Sequence, residues 1–157
     1  MRDLVHAGVV GPAPITGFAV TPGLREWYLD DDLEELEYAA MTEAARACLR
    51  LLDDERLGGK PAWRRAVLAV DVADSEVEIR DDLDRGVVHI RLDVPLGSVV
   101  SAHVDDVDAS LSVQAAAAAI GPADLGDPNA QEVVDDAEGF ELSWYASQEI
   151  PALIELL

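Results

Sequence analysis

The sequence predicts an α+β, or mixed α/β, fold in which a long central helix packs on one mixed β-sheet of about four to six strands, with about two to four further helices. Three observations support this prediction. An apolar pattern with helical spacing runs from about Leu33 to Leu52, short β-type runs follow between Arg65 and Asp106, and an alanine-rich helical stretch extends from Val107 to Ile120. A chain of 157 residues is long enough for one core, so residues 1–157 are predicted to form a single domain.

The N-terminal part is predicted to contain a short strand and a helical turn before the long helix. The segment GFAVT, residues 17–21, has the composition of a strand. Thr21 or Gly23 then begins a helical turn that carries Trp27 and Tyr28.

The long helix has a clear start signal. Asp32 is a suitable N-cap, and Glu35 follows at the spacing of a capping box. Acidic residues in the first turn also interact favourably with the helix dipole. The apolar residues form two adjacent stripes that cover about half of the helix circumference: Leu33, Leu36, Ala40, Ala44, Ala47 and Leu51 form the first, and Tyr38, Met41, Ala45, Cys48 and Leu52 form the second.

The rest of the chain is predicted to alternate between strands and helices. The predicted strands are residues 65–72, a short edge strand in EVEIRDDL, residues 86–94 and residues 99–106. The helix from Val107 is predicted to end at Gly121-Pro122, before a loop ADLGDPNA. FELSWY fits either a half-buried strand or the start of a helix. We favour a strand, with Ser147 capping a last helix that has Pro151 in its first turn.

The acidic composition excludes several classes of partner. The chain has 32 acidic and 11 basic residues, for a formal charge of −21. Nucleic acids and anionic membrane surfaces need Lys and Arg, so direct binding to either is disfavoured. The same charge would favour encounter with basic protein partners, although it is also typical of GC-rich or salt-adapted genomes.

Cysteine content and hydropathy indicate a cytoplasmic protein. Cys48 is the only cysteine, so an internal disulfide is impossible and a reducing compartment is expected. No apolar run approaches the ~18 residues of a membrane span. The segment GGKP at Gly58 lacks the spacing of a phosphate-binding loop, and no zinc or dinucleotide motif is present, so no cofactor is predicted.

Two Trp-Tyr pairs and one glutamate are the candidate binding residues. Trp27-Tyr28 and Trp144-Tyr145 could anchor the core, with one ring of each pair packed inward, or could line a binding surface. Glu37 falls within the apolar sector of the long helix, where a buried carboxylate must be paired or protonated. It is predicted either to form a structural ion pair, with Arg25 as the partner, or to act as a functional acid.

Aspartates at two strand ends are the candidate metal ligands. In α/β sheets, sites gather at the carboxyl ends of strands, and clustered carboxylates there could hold Mg²⁺ or Mn²⁺. The alternative is that such acids arise freely in an acidic chain and that Asp106 serves as a helix N-cap. The candidate residues are Asp71, Asp105, Asp106 and Asp108.

Several of these segments resemble a known family. The runs AVTPGLREWYLDDDLEELEYAA and RACLRLL, with SAHVDD and LSWYASQEIPAL farther on, resemble an uncharacterised family of actinobacterial proteins, a domain of unknown function. The resemblance extends from about Gly11 onward and implies no established activity, cofactor or catalytic residue. Family members begin with a short apolar strand, whereas Arg2 is followed here by Asp3-Leu4. The resemblance therefore implies a missing N-terminal strand and an exposed sheet edge.

The sequence best fits an acidic cytoplasmic protein-interaction or regulatory domain that has both Trp-Tyr pairs at or near its working surface. Its expected partner is a protein with a basic or aromatic-accepting surface, and a homo-oligomer is also compatible with the sequence. Two alternatives stay open. One is a small metal-assisted hydrolase that uses the four candidate aspartates, and the other is a small-ligand-binding domain with a pocket between the long helix and the sheet.

Overall fold

The computed structural model describes residues 8–28, 31–56, 58–59 and 62–156. Helices and strands alternate along the chain, which confirms the predicted mixed α/β class. The α-helices are α1 (Pro22–Trp27), α2 (Leu33–Arg56), α3 (Ser110–Asp124), α4 (Pro128–Glu138) and α5 (Ile150–Leu156). The strands are β1 (Val9–Val10), β2 (Ile15–Phe18), β3 (Ala66–Val70), β4 (Val77–Ile79), β5 (Val87–Ile90), β6 (Val94–Pro95), β7 (Val99–Val104) and β8 (Ser143–Ala146).

Within the described residues, the strands form three small sheets in place of the one sheet that the sequence suggested. Strands β1 and β6 form an antiparallel pair. Strand β5 lies between β2 and β4 and pairs antiparallel with both, so β4 is the edge strand that the sequence predicted. The third sheet has the order β3-β7-β8. Because most strands have only two to five residues, each sheet buries little surface by itself and depends on packed helices.

The fold divides into two compact units, and several segments of the chain contribute to each. The first unit contains Met1–Ala44, Leu68–Ser101 and Ala146–Leu157, and the second contains Ala45–Val67 and Ala102–Tyr145. The prediction of a single domain stays a prediction. The prediction that an N-terminal strand is missing concerns the residues before Gly8, which lie outside the described residues, so it stays a prediction.

Helix α2 begins as the sequence predicts and continues about one turn farther, to Arg56. The Asp32 carboxylate accepts a hydrogen bond from the backbone N–H of Glu34 at 2.9 Å, and the Asp32 carbonyl accepts one from Leu36. These bonds satisfy N–H groups that have no partner inside the helix. The local capping signal was therefore sufficient to locate the start of the helix.

The residues that α2 buries differ from the predicted stripes. In the first unit, Ala39 and Ala40 pack with Leu24. In the second unit, Leu49 and Leu52 join the hydrophobic cluster formed with α3 and α4. One helix thus contributes to two separate clusters, and a single continuous stripe is not required. Three residues that were predicted to lie on the apolar stripes are instead exposed: Leu33, Tyr38 and Leu51.

Helices α3 and α4 form a hairpin that the sequence prediction described only in part. Helix α3 was predicted to end at Gly121-Pro122, but it continues to Asp124. Proline lacks a backbone N–H and normally destabilises a helix interior. The buried side chains of Ile120 and Ala123 hold the last turn in place on either side of Pro122.

Helix α4 was missed because its first residues were assigned to a loop. The carboxylate of Asp127 caps it by accepting hydrogen bonds from the N–H groups of Asn129 and Ala130, and Pro128 occupies the first helical turn. An acidic N-cap followed by proline is a recognised start signal. The signal was present in the sequence and could have located this helix.

The remaining helices and strands are of the predicted type, but they begin or end at different residues from those predicted. Thr21 caps α1 by accepting a hydrogen bond from the Leu24 N–H at 3.2 Å. FELSWY contains a strand, as predicted, and Pro151 lies in the first turn of α5. None of the helices in the described residues is long and apolar enough to cross a bilayer.

Candidate functional site

The first Trp-Tyr pair is on the surface. Trp27, the last residue of α1, exposes 61% of its area, and Tyr28 exposes 40%. Neither ring is buried, so the core-anchor interpretation is wrong for this pair. An indole that is largely exposed to water is uncommon, because burying its large apolar face is favourable.

Arg85 lies against the indole of Trp27. The central carbon of its guanidinium is 3.5 Å from the centroid of the indole ring, which is the geometry of a cation–π interaction. The positive guanidinium is attracted to the negative face of the ring and shields one side of it. Sequence reasoning missed Arg85, because nothing in the local sequence connects it to Trp27.

The two segments that carry Trp27 and Arg85 both donate hydrogen bonds to one carboxylate, that of Asp81. Asp81 accepts a hydrogen bond from the hydroxyl of Thr21 at 2.5 Å and one from the N–H of Gly23 at 2.9 Å, at the start of α1. It also accepts the N–H of Gly86 at 3.0 Å, next to Arg85. The Thr21 hydroxyl is the largest of the influences that hold the pKa of Asp81 below its usual value, and the two N–H groups act in the same direction.

Two glycines allow the backbone to approach Asp81 closely. A Cβ atom at Gly23 would lie only 2.6 Å from the carboxyl carbon of Asp81. Gly86 has a φ of +80°, and a Cβ there would lie 3.2 Å from the carbonyl oxygen of Ala19. Side chains rarely adopt that conformation. Asp81 and these glycines therefore position Trp27 and Arg85, and we call the surface formed by Trp27, Tyr28 and Arg85 the Trp27 platform.

The second Trp-Tyr pair belongs to the other unit. Trp144 exposes 63% of its area, and Tyr145 is half-buried. Trp144 is the exposed member of the pair in strand β8, so its indole is not the inward-packed ring of the core-anchor interpretation. The neighbouring Ser143 donates a hydrogen bond to the carboxylate of Asp106 at 3.1 Å. The two Trp-Tyr pairs thus belong to different units.

Glu37 does not occupy the predicted environment. Its side chain is exposed on α2, and Arg25, the suggested partner, is also exposed. The expectation of a buried carboxylate within an apolar sector is wrong, because the first half of α2 buries Leu36, Ala39 and Ala40 instead.

Asp105, one of the four candidate metal ligands, forms a buried ion pair. It is fully buried, and both of its carboxylate oxygens accept hydrogen bonds from the guanidinium of Arg65 at 2.8 Å. The backbone N–H of Arg65 donates to the same carboxylate, also at 2.8 Å. The Nε of Arg64 donates to the Asp105 carbonyl at 2.7 Å. With these bonds the carboxylate has a structural partner that the sequence did not reveal.

The other three aspartates are exposed. Asp71 lies in the first unit, whereas Asp106 and Asp108 lie in the second. Asp106 was suggested as an N-cap, but the short 3₁₀ turn after it has no side-chain cap. In the part of the chain that the structure describes, no three His, Cys, Asp or Glu side chains lie where they could hold a metal ion. The structure thus does not gather these aspartates into a set of ligands.

Burial changes the acid–base properties of two further residues. Burial raises the pKa of the Cys48 thiol above its ordinary value, which favours the unreactive protonated form. Burial also lowers the pKa of His103, and so favours the neutral imidazole. The partly buried Cys48 packs against the hydrophobic cluster of the second unit.

The chain matches no curated protein and no solved structure. The model of a family of unknown function (DUF6912) matches residues 1–154, and the chain therefore belongs to that family.

Proposed function

We propose that this chain is a protein-interaction module of the cytoplasm and that the Trp27 platform is its docking surface. The observation that supports the proposal is the exposed indole of Trp27, held in place by Arg85. Tryptophan is enriched among the few residues that supply most of the binding energy at protein interfaces. A partner that covers this indole would remove a large apolar surface from water.

Hydrogen bonds to Asp81 order the segments that carry the platform. Asp81 ties the start of α1 and the backbone beside Arg85 to the same carboxylate. A side chain that is already ordered loses less conformational entropy when a partner binds. The platform is therefore prepared for binding before any partner arrives.

The charges around the platform favour a basic partner. Glu26 precedes Trp27, and Asp84 precedes Arg85, and both side chains are exposed. The Asp84 carboxylate is held by the backbone N–H of Arg85 at 2.7 Å. With a chain charge of −21, an approaching Lys or Arg would be attracted over a long range. We infer that the partner presents an apolar side chain next to basic residues.

Selection from a peptide library would test this proposal. A displayed library of random twelve-residue peptides is panned against the full chain and counter-selected against the Trp27→Ala variant. Enriched peptides should combine an apolar residue with Lys or Arg, and Trp27→Ala should weaken their binding at least about tenfold in fluorescence anisotropy. A matched control is Tyr38→Ala, which removes an aromatic ring that is 57% exposed elsewhere in the same unit.

Two results would refute the proposal. One is a selection that enriches no peptide above the Trp27→Ala background. The other is a set of peptides that bind wild type and Trp27→Ala equally, provided that circular dichroism shows both proteins to be folded.

A further inference from the structure

Helix α3 of the second unit exposes a face without charge, which is unusual in so acidic a chain. Its buried face packs against α2 and α4 through Val113, Ala116, Ala117 and Ile120. The exposed residues on the opposite face, with Leu125 directly after the helix, are uncharged: Leu111, Gln114, Ala115, Ala118, Gly121, Pro122 and Leu125. We call Leu111, Ala115, Ala118, Pro122 and Leu125 the α3 seam.

The spacing of the α3 seam is that of a helix–helix contact. Its five residues recur at intervals of four, three, four and three, which is the heptad repeat of positions that pack against a partner helix. Leu111 and Leu125, at the two ends, expose 82% and 92% of their area. The small residues between them would allow a second helix to approach closely. The seam therefore has large apolar side chains at both ends and a shallow centre.

The charges of the α3–α4 hairpin identify the kind of helix that fits. No Lys or Arg occurs in the sequence after Arg91. In the hairpin, Asp124 pairs with Arg50 at 2.7 Å, and Glu138 pairs with Arg46 at 3.4 Å. Three further acidic side chains are exposed on α4: Glu132, Asp135 and Asp136. An apolar seam on one helix thus accompanies an acidic surface on the next.

We infer that the α3 seam binds a basic amphipathic helix of another protein. The apolar face of that helix would cover the seam, and its Lys or Arg residues would interact with the acidic surface of α4. A second copy of this chain fits less well, because it would bring the same acidic hairpin and another charge of −21 to the contact. Charge complementarity therefore selects the basic partner.

This inference is independent of the Trp27 platform, which belongs to the first unit. The two proposals can fail separately. A peptide that binds the α3 seam should bind Trp27→Ala and wild type with the same affinity.

A designed helix library provides the test. Each peptide has an apolar seam of Ala, Leu, Ile or Val, and each flanking position is randomised among Lys, Gln and Glu. Selection against the full chain should enrich Lys at the flanks. The double variant Leu111→Ser/Leu125→Ser should weaken binding at least about tenfold, because it removes both large apolar contacts. Leu156→Ser is the matched control, since Leu156 is 80% exposed in the first unit.

A second variant tests whether the acidic surface of α4 contributes to binding. Neutralising it with Glu132→Gln/Asp136→Asn should weaken the selected peptide and reduce the dependence of its Kd on salt concentration. Three results would overturn the inference. The selection could enrich Glu at the flanks, or it could enrich no peptide above the Leu111→Ser/Leu125→Ser background. The third is that Leu111→Ser/Leu125→Ser leaves the affinity of the selected peptide unchanged. Sedimentation that shows a dimer lost in the Leu111→Ser/Leu125→Ser variant would assign the seam to a second copy, and so would also overturn it.

Discussion

Arg65 and Asp105 form a buried, two-pronged ion pair in which two guanidinium nitrogens donate to separate carboxylate oxygens, each at 2.8 Å. Their side chains expose 3% and 0% of their area. The Arg65 guanidinium also donates a third hydrogen bond, to the carbonyl of Phe140 at 2.9 Å. Each buried charge is thus matched by an opposite charge and by further hydrogen bonds, which such groups require.

Removing one charge of this pair should destabilise the protein severely. In Asp105→Asn, Arg65 would remain buried with its charge uncompensated, and the free energy of unfolding should fall by about 3–5 kcal/mol. Urea denaturation monitored by circular dichroism would measure the change. Asp108→Asn, at an exposed aspartate nearby in the sequence, should change stability by no more than about 0.5 kcal/mol. Equal effects of the two substitutions would contradict the structural role of the pair.

Helix α2 offers a second matched comparison. Leu49 is completely buried in the second unit, whereas Leu51, two residues farther along, is 63% exposed. Leu49→Ala should lower the free energy of unfolding by about 2–5 kcal/mol, because it leaves a cavity in the hydrophobic cluster. Leu51→Ala should have little effect on the urea midpoint. A larger loss of stability in Leu51→Ala than in Leu49→Ala would contradict the burial that the structure shows and would support the apolar stripe predicted from the sequence.

Gly86 should be intolerant of a side chain. Its φ of +80° and the close carbonyl of Ala19 would strain an alanine, so Gly86→Ala should destabilise the first unit by about 1–3 kcal/mol. Gly97→Ala is the control, because an added Cβ there would meet nothing within 4 Å. Thermal denaturation would compare the melting temperatures of the two variants. A Gly86→Ala protein as stable as the Gly97→Ala protein would show that the backbone turn at Gly86 is not constrained.

Asp81 should contribute a pH-dependent part of the stability. Because hydrogen bonds hold its folded-state pKa below the ordinary value, the unfolded chain takes up the proton first as the pH falls. The stabilisation is complete above the ordinary carboxyl pKa, about 3.9, and is lost as the pH falls through the folded-state value. Urea midpoints between about pH 5 and pH 3 should therefore decline less steeply in Asp81→Asn than in wild type.

The control for that series is Asp71→Asn, at an exposed position in the same unit. That variant controls for the loss of one negative charge from the first unit. An Asp81→Asn curve parallel to wild type would show that the carboxylate has the same pKa in the folded and unfolded chains.

Cys48 should react slowly in the folded protein. Burial raises the pKa of its thiol and also restricts access, so little reactive thiolate is available. Alkylation by iodoacetamide at about pH 8, followed by mass spectrometry, should be at least about tenfold slower in buffer than in denaturing urea. Similar rates in both conditions would mean that Cys48 is accessible, contrary to its packing against the second-unit cluster.

Local signals determined several elements of this fold from the sequence alone. The Asp32 cap and the helical spacing after it located α2, and Thr21 located the start of α1. Each is an interaction between residues a few positions apart, so its chemistry can be recognised in a short window of sequence. The same reasoning would have found α4 from Asp127 and Pro128.

The candidate site depended instead on tertiary structure. Thr21 and Asp81 are 60 residues apart in the chain, and Arg65 and Asp105 are 40 residues apart. No periodicity or cap identifies which of 32 acidic residues will meet a given hydroxyl or arginine, because that choice follows from packing of distant segments. The sequence by itself thus determined the local helices and strands and the acidic charge. Only the tertiary structure decided that Trp27 is exposed beside Arg85 and that Asp105 is buried with Arg65, since both outcomes depend on long-range contacts.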